Sequence, residues 1–284
     1  MASTKDRQRA LERARYERVQ AKIVKQRAAA VRRRRIAMLT AVAVLLLGGG
    51  IAGAVFATSS SPAATPVAKS SASASPSAAA VQPTASVTGC TAPAGAAPKP
   101  QSYTSEPAMT IDKAAAYKMT IKTNCGSIVV ALDAAKAPHT VNSFSFLAGK
   151  GYFADTYCHR LTTSGIYVLQ CGDPTASPTS GGSGGPGYKL PDENLTGLGT
   201  GSSVTYPAGE IAMANSGANT GGSQFFLVYK DSPLPPSYTP FGKITSGLDI
   251  LQRIATAGST NSNGSGDGNP MQKVQIESVT VAAS

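Results

Sequence analysis

An uncharged run of 22 residues, from Ile36 to Ala57, constrains this chain more than any other feature of its sequence. At about 1.5 Å per residue, a helix of that length spans roughly 33 Å, which matches a hydrocarbon core of about 30 Å. Arg32 to Arg35 precede the run and the flank TSSSP after it is uncharged, so the positive-inside rule predicts a cytoplasmic N-terminus. We expect an uncleaved transmembrane helix over 36–57, with the rest of the chain outside the membrane. A cleaved signal peptide is the alternative, which the long charged region disfavours.

The positive charge of the chain is concentrated at its N-terminus. The formal net charge is +11, and residues 1–35 hold thirteen Lys and Arg against three acidic residues, a net of +10. The other 249 residues therefore carry only +1. We expect 1–35 to be a solvated cytoplasmic tail that can approach anionic lipid, and we expect no nucleic-acid partner for the folded part.

The composition changes again after the apolar run. Residues 58–110 consist largely of Ser, Ala, Pro and Thr, with few large apolar side chains. Such a segment cannot bury enough surface to offset the entropy lost on ordering. The sequence therefore predicts a disordered linker over 58–110, which tethers a folded domain over 111–284 to the membrane.

Short alternating runs separated by Gly, Asn, Asp and Pro begin at Tyr117, a pattern typical of strands and turns. One helix is expected from Pro138 to the stop signals Gly149 and Gly151, and another near 247–257. Eight strands are predicted, over 117–123, 127–132, 156–162, 166–171, 209–214, 223–230, 239–244 and 272–281. This content favours a mainly β fold, a closed eight-stranded antiparallel barrel capped by two α-helices.

The segment 172–204 shows little helix or strand pattern, and so long a segment inside a domain usually forms a functional loop. Gly181, Ser183 and Gly185 match the GxSxG motif of serine hydrolases, which requires a strand, a sharp turn and a helix. Glycines surround Ser183 and Pro186 follows closely, so we interpret the segment as a glycine loop. A hydrolase is the weakest of the functions considered, because no histidine and acidic partner are placed for it.

All four cysteines lie on the side predicted to be outside the membrane, where disulfides persist. They allow three connectivities. Cys158 and Cys171 lie on consecutive predicted strands, which favours them as one pair and leaves Cys90 to pair with Cys125. A zinc site that uses His159 or His139 is the competing interpretation. It is disfavoured because neighbours on a strand point to opposite faces and no CxxC spacing occurs, so we expect no metal.

Seven segments of the domain match, in order, the motifs of one family. They are APHTVNSF (137–144), CHRL (158–161), VLQCGDP (168–174), GGPGY (184–188), DEN (192–194), GEIAMANSGANTGGSQFF (209–226) and FGKI (241–244). On these motifs the domain resembles a cyclophilin, a peptidyl-prolyl cis/trans isomerase, and in particular the bacterial, membrane-anchored extracytoplasmic members. The resemblance implies an eight-stranded barrel with two capping helices, proline-containing polypeptides as partners, and no cofactor.

The resemblance also implies roles for individual residues. It makes Arg160 the cationic donor that acts on the X-Pro bond and Gln170 the polar neighbour that orients it. Arginine suits this task because it keeps its proton and has several fixed donors for a twisted amide. The residues implied for binding are Tyr167, Val168, Phe226 and Leu234 in a proline pocket, Tyr238 at its edge, Ala214, Asn215 and Ser216 along the substrate backbone, and Gln224 and Gly182 in the adjoining groove.

The chain departs from the family pattern in three places. Nine residues, LTTSGIYVL, separate Arg160 from Gln170, where the family commonly has seven. Tyr238 stands where many members have histidine. The chain has no tryptophan, whereas members sensitive to cyclosporin often place one near the position of Pro233, so we expect weak cyclosporin binding. The alternative function is a catalytically weak proline-peptide-binding chaperone or scaffold.

Overall fold

The computed structural model describes residues 86–284. Two α-helices lie in this part of the chain, α1 (Pro138–Gly149) and α2 (Leu248–Thr256), together with one short 3-10 helix (Thr196–Leu198). The strands are β1 (Tyr117–Thr123), β2 (Gly126–Leu132), β3 (Arg160–Thr162), β4 (Val168–Cys171), β5 (Val204–Tyr206), β6 (Glu210–Met213), β7 (Phe225–Val228), β8 (Ser232–Leu234), β9 (Pro240–Ser246), β10 (Asp267–Gly268) and β11 (Ile276–Ala283). Nine strands form one antiparallel sheet in the order β10-β3-β4-β7-β6-β9-β2-β1-β11, and β5 and β8 form a separate ribbon.

The large sheet curls without closing. The prediction of a closed eight-stranded barrel is wrong in both strand number and closure, although the mainly β class and the two helices are confirmed. The predicted strands 156–162 and 272–281 would have met at the gap, but regular pairing begins only at Arg160 and Ile276. The segments before β3 and β11 meet without a regular ladder, through one isolated bridge between Tyr157 and Gln275. Three backbone hydrogen bonds accompany it, from Asp155 N–H to Ile276 O, from Cys158 N–H to Val274 O and from Ile276 N–H to Thr156 O, at 2.8, 2.9 and 2.8 Å.

The β1–β2 hairpin supplies much of the core. Met119, Ile121, Ile128 and Val130 alternate along the two strands and are each at most 1% exposed. Helix α1 adds Val141, Phe144 and Leu147 to the same buried core. Burying a side chain of this size contributes roughly 1.5–3 kcal/mol. This rigid half of the domain supports the strands that carry the candidate site.

Helix α1 receives its N-terminal cap from a distant loop. The carboxylate of Glu193 accepts hydrogen bonds from the backbone N–H groups of His139 and Thr140 at 3.0 and 2.9 Å. Because these N–H groups have no partner within the helix, the acidic cap stabilises the first turn. The contact also fixes the end of the long loop that follows β4.

Residues 86–110, which the composition assigns to the disordered linker, lie against the folded domain. Cys90 is bonded to Cys125 at the turn of the first hairpin, and the Tyr103 N–H donates to Pro186 O at 2.7 Å. Asn142 of α1 donates to the carbonyl of Ala108 at 3.0 Å. Residues 86–110 are therefore bonded to the folded domain at several points, which composition does not show, because it records the lack of a core but not the bonds that fix a segment.

Both disulfides pair as predicted, Cys90 with Cys125 and Cys158 with Cys171. Among residues 86–284 no helix is both long and apolar enough to cross a membrane. The predicted anchor over 36–57, the basic tail over 1–35 and the linker up to residue 85 lie outside the described residues.

Candidate active site

Three adjacent strands bring the central residues of the site together. Arg160 on β3 pairs with Gln170 on β4, which in turn pairs with Phe226 on β7. Residues that lie opposite each other in an antiparallel sheet project from the same face. The guanidinium, the amide and the aromatic ring therefore form a row across the sheet, although they are distant in sequence.

A cavity of about 200 Å³ opens beside this row. Three of its lining residues are polar, namely Arg160, Gln170 and Asn215. The others form an apolar floor and rim, namely Ile166, Val168, Ala214, Phe226, Leu234 and Tyr238. We call this space the apolar cavity, and its chemistry suits a small ring with an amide beside it.

Aromatic contacts hold the floor of the apolar cavity in shape. The Phe226 and Tyr238 rings meet edge to face with centroids 5.4 Å apart, and Tyr206 lies behind both. The Tyr206 hydroxyl donates to Tyr238 O at 2.8 Å. Burial raises the pKa of Tyr206 to about 12, so this hydroxyl keeps its proton at neutral pH. The β5–β8 ribbon completes the floor, since it carries Leu234 opposite Val204.

Arg160 is held by partners on two sides. Its Nε and Nη2 donate to the two carboxylate oxygens of Asp267 at 2.9 and 2.7 Å, and its Nη1 donates to Gln170 Oε1 at 3.3 Å. These hydrogen bonds to Asp267 raise the pKa of Arg160 above its already high value. The guanidinium is therefore a permanently charged donor with a defined plane.

Gln170 connects Arg160 to a second, larger space. Its Nε2 donates to Gln224 Oε1 at 3.0 Å, and Gln224 Nε2 donates in turn to Gly184 O at 2.8 Å. This hydrogen-bond chain fixes both amide orientations from the guanidinium to the loop after β4. Beyond it lies a cavity of about 440 Å³, which we call the loop groove.

One buried carboxylate organises the loop wall of this groove. Asp173 is fully buried, and its Oδ2 accepts hydrogen bonds from the N–H groups of Gly182, Ser183 and Gly184 at 2.6, 3.0 and 3.0 Å. Its Oδ1 accepts from Thr175. Burial acts to raise the pKa of Asp173, but these hydrogen bonds outweigh it and lower the pKa below its ordinary value. A Cβ on Gly184 would lie 2.0 Å from the carboxylate, so only glycine fits there.

Asn215 lies where the apolar cavity and the loop groove meet. Its side chain is engaged within the protein, since Nδ2 donates to Ser237 O at 2.7 Å. The Ala214 N–H donates to Gln224 O at 3.0 Å, which ties this segment to the residue that precedes β7. The arrangement favours a binding role for the main chain of Asn215 rather than for its side chain.

The structure brings most of the predicted site residues together. Those at the apolar cavity are Arg160, Gln170, Val168, Ala214, Asn215, Phe226, Leu234 and Tyr238. Those that line the loop groove are Gly182, Ser216 and Gln224, along with Gln170, Ala214 and Asn215 again.

Tyr167 is the predicted pocket residue that the structure does not place there. Ile166 and Val168 line the apolar cavity, whereas Tyr167 lies against Tyr229, with the Lys230 ammonium 4.5 Å from its ring centre. Alternate residues of an extended segment face opposite sides, so the assignment of both Tyr167 and Val168 to one pocket could not hold. Since Val168 faces the apolar cavity, strand alternation places Ile166, two residues earlier, on the same side, and this could have identified Ile166 from the sequence.

Two acidic residues of the site were missed by the sequence analysis. Asp173 lies inside the matched VLQCGDP motif, so an anchoring role for it could have been considered. Asp267 is 107 positions from Arg160 and lies in a Gly-, Ser- and Asn-rich loop. No periodicity or motif there indicated a partner for the arginine.

Comparisons with known proteins agree with this geometry. A family model described as "Cyclophilin type peptidyl-prolyl cis-trans isomerase/CLD" matches residues 118–281. A probable peptidyl-prolyl cis-trans isomerase B of Mycobacterium leprae is 49% identical over 173 residues, which are 58% of this chain and 57% of that protein. Its namesake in Mycobacterium tuberculosis is 47% identical over 173 residues, which are 58% of this chain and 54% of that protein. The chain thus spans little more than half the length of these relatives.

A solved structure supports the same fold. The crystal structure of a cyclophilin type peptidyl-prolyl cis-trans isomerase from Cryptosporidium parvum superposes with a TM-score of 0.50 at 27% sequence identity. The match covers 60% of this chain and 99% of the solved one. The part of the chain that matches is therefore a complete domain of that fold.

Proposed function

Since the chain belongs to the cyclophilin type peptidyl-prolyl cis-trans isomerase family, we propose that its folded domain accelerates rotation about X-Pro bonds in polypeptides. One observation carries the proposal. An apolar cavity of about 200 Å³ lies directly beside the Arg160 guanidinium, so a proline ring and its amide can be bound side by side. The substrate class is therefore an extended peptide segment that contains proline.

The chemistry needs no covalent intermediate. Amide resonance opposes rotation with a barrier of about 18–20 kcal/mol, and uncatalysed X-Pro exchange takes tens to hundreds of seconds. In the twisted amide the prolyl nitrogen regains its lone pair. A cationic donor therefore stabilises the twisted amide more than the planar ground state. Arg160 is that donor. The floor formed by Val168, Phe226 and Leu234 holds the ring while the bond turns.

The loop groove positions the residues before the proline. A peptide that runs along Asn215 can pair with its main chain in the manner of an added strand. Ala214 and Ser216 flank that contact, and Gln224 and Gly182 line the space for a preceding side chain. Separate surfaces thus hold the ring and the upstream segment, which leaves the bond between them free to rotate.

The decisive experiment compares the full chain, purified in mild detergent, with its Arg160→Ala variant on a short Ala-Pro peptide. We expect kcat/KM to fall by about 10²- to 10³-fold, the usual effect of removing one transition-state donor. Arg253→Ala, which removes an exposed guanidinium from α2, serves as the matched control and should leave the rate unchanged. Equal rates for wild type and Arg160→Ala would contradict the mechanism. Binding without acceleration by either protein would favour a chaperone or scaffold module.

We propose further that the domain acts outside the cell membrane, held by an anchor over 36–57 and assisting the folding of extracytoplasmic proteins. The proposal is supported by the charge pattern around that run and by two disulfides, which persist in oxidising compartments. Labelling intact cells with a membrane-impermeant amine reagent tests it. Modification of lysines in 111–284 only after lysis would contradict it.

We also propose weak cyclosporin binding, because the chain has no tryptophan to supply an indole donor at the rim of the apolar cavity. Calorimetric titration of the full chain with cyclosporin checks this. A submicromolar Kd would contradict it.

A further inference from the structure

We infer that Asp267 is a positioning residue for Arg160, whose carboxylate holds the guanidinium in the plane that presents its remaining N–H groups to the apolar cavity. The inference rests on the proposed function, because it gives Asp267 a share in the action of Arg160 on the X-Pro bond. It adds a residue from a loop outside every motif that identified the family.

The contact between the two side chains is bidentate. Nε donates to Oδ1 at 2.9 Å and Nη2 donates to Oδ2 at 2.7 Å, so the carboxylate and the guanidinium are matched fork to fork. Nη1 donates to Gln170 Oε1 at 3.3 Å. Three of the five N–H groups of Arg160 are thereby engaged, and one on each terminal nitrogen remains for a ligand. Arg160 itself lines the apolar cavity.

The backbone around Asp267 restricts where its carboxylate can lie. Strand β10 pairs with β3, with Asp267 opposite Thr162. A tight turn precedes it, in which the Asp267 N–H donates to Gly264 O at 3.0 Å. At Gly266, where φ is +74°, a Cβ would lie 2.6 Å from the Ser164 side chain, and at Gly268 it would lie 2.7 Å from Ser262 N. Gly266 therefore lets the loop approach the chain that follows β3, and Gly268 lets it fold closely against its own residues 260–262. Asp267 lies between these two glycines, opposite Thr162 and next to Arg160.

The carboxylate has two opposing effects on Arg160. It fixes the direction of the donors, but its negative charge reduces the positive potential at the reacting amide. The side chains of Arg160 and Asp267 are 35% and 25% exposed, so water screens the charge effect. Water does not compensate for a badly oriented donor in the same way, because a hydrogen bond weakens steeply when its donor–hydrogen–acceptor angle is far from linear. Orientation is therefore the larger effect, and removal of the carboxylate should slow the reaction.

A second Arg–Asp pair in the same domain provides the control. Arg253 and Asp249 pair one turn apart on α2, with side chains 42% and 69% exposed. Neither residue lines the apolar cavity or the loop groove. Asp249→Asn makes the same chemical change as Asp267→Asn, away from the site.

The test measures kcat and KM of the full chain, Asp267→Asn and Asp249→Asn on an Ala-Pro peptide, together with the ¹⁵N signals of the Arg160 guanidinium. We expect Asp267→Asn to lower kcat about tenfold, since small misplacements of an acting group have effects of this size or larger. KM should change less than twofold. The wild type should show slow rotation about the Arg160 Nε–Cζ bond, and Asp267→Asn fast rotation. Asp249→Asn should match the wild type in every measurement.

The other outcomes show whether this inference fails alone or together with the proposed function. If Arg160→Ala is slow but Asp267→Asn keeps the wild-type kcat or exceeds it, positioning by Asp267 is wrong and the isomerase proposal stands. If the wild type itself does not accelerate exchange, both fail together. Should Asp267→Asn not fold, the wild-type spectrum still decides, because fast rotation of the Arg160 guanidinium there would overturn the inference.

Discussion

The two sides of the candidate site are built by different means. The floor of the apolar cavity consists of side chains on β4, β7 and β8, held by the burial of Val168, Phe226 and Leu234. The loop wall of the groove has almost no regular structure and is held by hydrogen bonds to the carboxylate of Asp173. Apolar packing fixes the shape of the first, and a single buried charge fixes the shape of the second. We therefore expect the two sides to respond differently to mutation and to pH.

The largest effect is expected on the packed side. Phe226→Ala removes a ring that is 4% exposed and should lower the free energy of unfolding by about 3–5 kcal/mol. It should also raise KM for an Ala-Pro peptide strongly, because the floor of the apolar cavity is lost. Urea denaturation and steady-state kinetics at low temperature measure the two quantities.

Phe225→Ala is the matched control for this change. Phe225 is 1% exposed on the same strand but packs against Phe144 and Phe153 on the opposite face. We expect a similar loss of stability with KM unchanged. If both variants raised KM equally, the assignment of Phe226 to the binding surface would be wrong.

A smaller loss is expected on the hydrogen-bonded side. Asp173→Asn keeps the size of the side chain but replaces one acceptor oxygen by an amide that faces N–H donors. Leaving these half-buried N–H groups without their acceptor, and turning a buried amide toward them, should cost about 1–3 kcal/mol. Peptide binding in the loop groove should weaken as well. A peptide with a longer segment before proline should therefore lose more affinity than a dipeptide. Asp112→Asn, which changes an exposed loop cap, should cost under about 0.5 kcal/mol.

The same carboxylate makes the loop wall sensitive to acid. The pKa of folded Asp173 lies below the ordinary value of 3.8, so the ionised form stabilises the fold fully at pH values above that ordinary value. This contribution is lost as the pH falls through the lower, folded pKa. The stability difference between wild type and Asp173→Asn should therefore shrink as the pH falls below the ordinary value of 3.8. A difference that does not shrink as the pH is lowered below that value would contradict the role of the charge.

The smallest effect is expected at the edge of the apolar cavity. Tyr238→Phe keeps the ring that meets Phe226 edge to face, so we expect a change under about 0.5 kcal/mol in stability and under twofold in KM. Tyr206→Phe should cost more, about 0.5–1.5 kcal/mol, because its buried hydroxyl donates to Tyr238 O. Urea denaturation of the two variants measures which of them loses more free energy of unfolding. The reverse order would show that the Tyr238 hydroxyl, and not its ring, supports the edge.

The packed side of the site was the part that the sequence could predict. The family resemblance implied Val168, Phe226 and Leu234 as pocket residues and Arg160 and Gln170 as their polar neighbours, and the structure places all five at the apolar cavity. A resemblance of this kind rests on motif residues and on their order along the chain, so one sequence is enough to find them.

Other features depended on contacts that no local pattern records. The register between Arg160 and Gln170 decided whether Ile166 or Tyr167 faces the apolar cavity, and the two extra residues there obscured it. Asp267 reaches Arg160 only through the pairing of β10 with β3. Whether the sheet closes depended on how the segments before β3 and β11 meet, and they share an isolated bridge rather than a regular ladder.

The Cys90–Cys125 disulfide determines where tension along the N-terminal segment would enter the domain. A pull on Cys90 is transmitted covalently to the turn between β1 and β2, and residues 91–116 lie outside the loaded path. Reduction of the bond would move the attachment point to Tyr117 and, once the weaker contacts of the segment opened, release a length of about 90 Å at roughly 3.4 Å per residue. The disulfide thus limits the maximum distance between the domain and the point at which the residues before Cys90 are held.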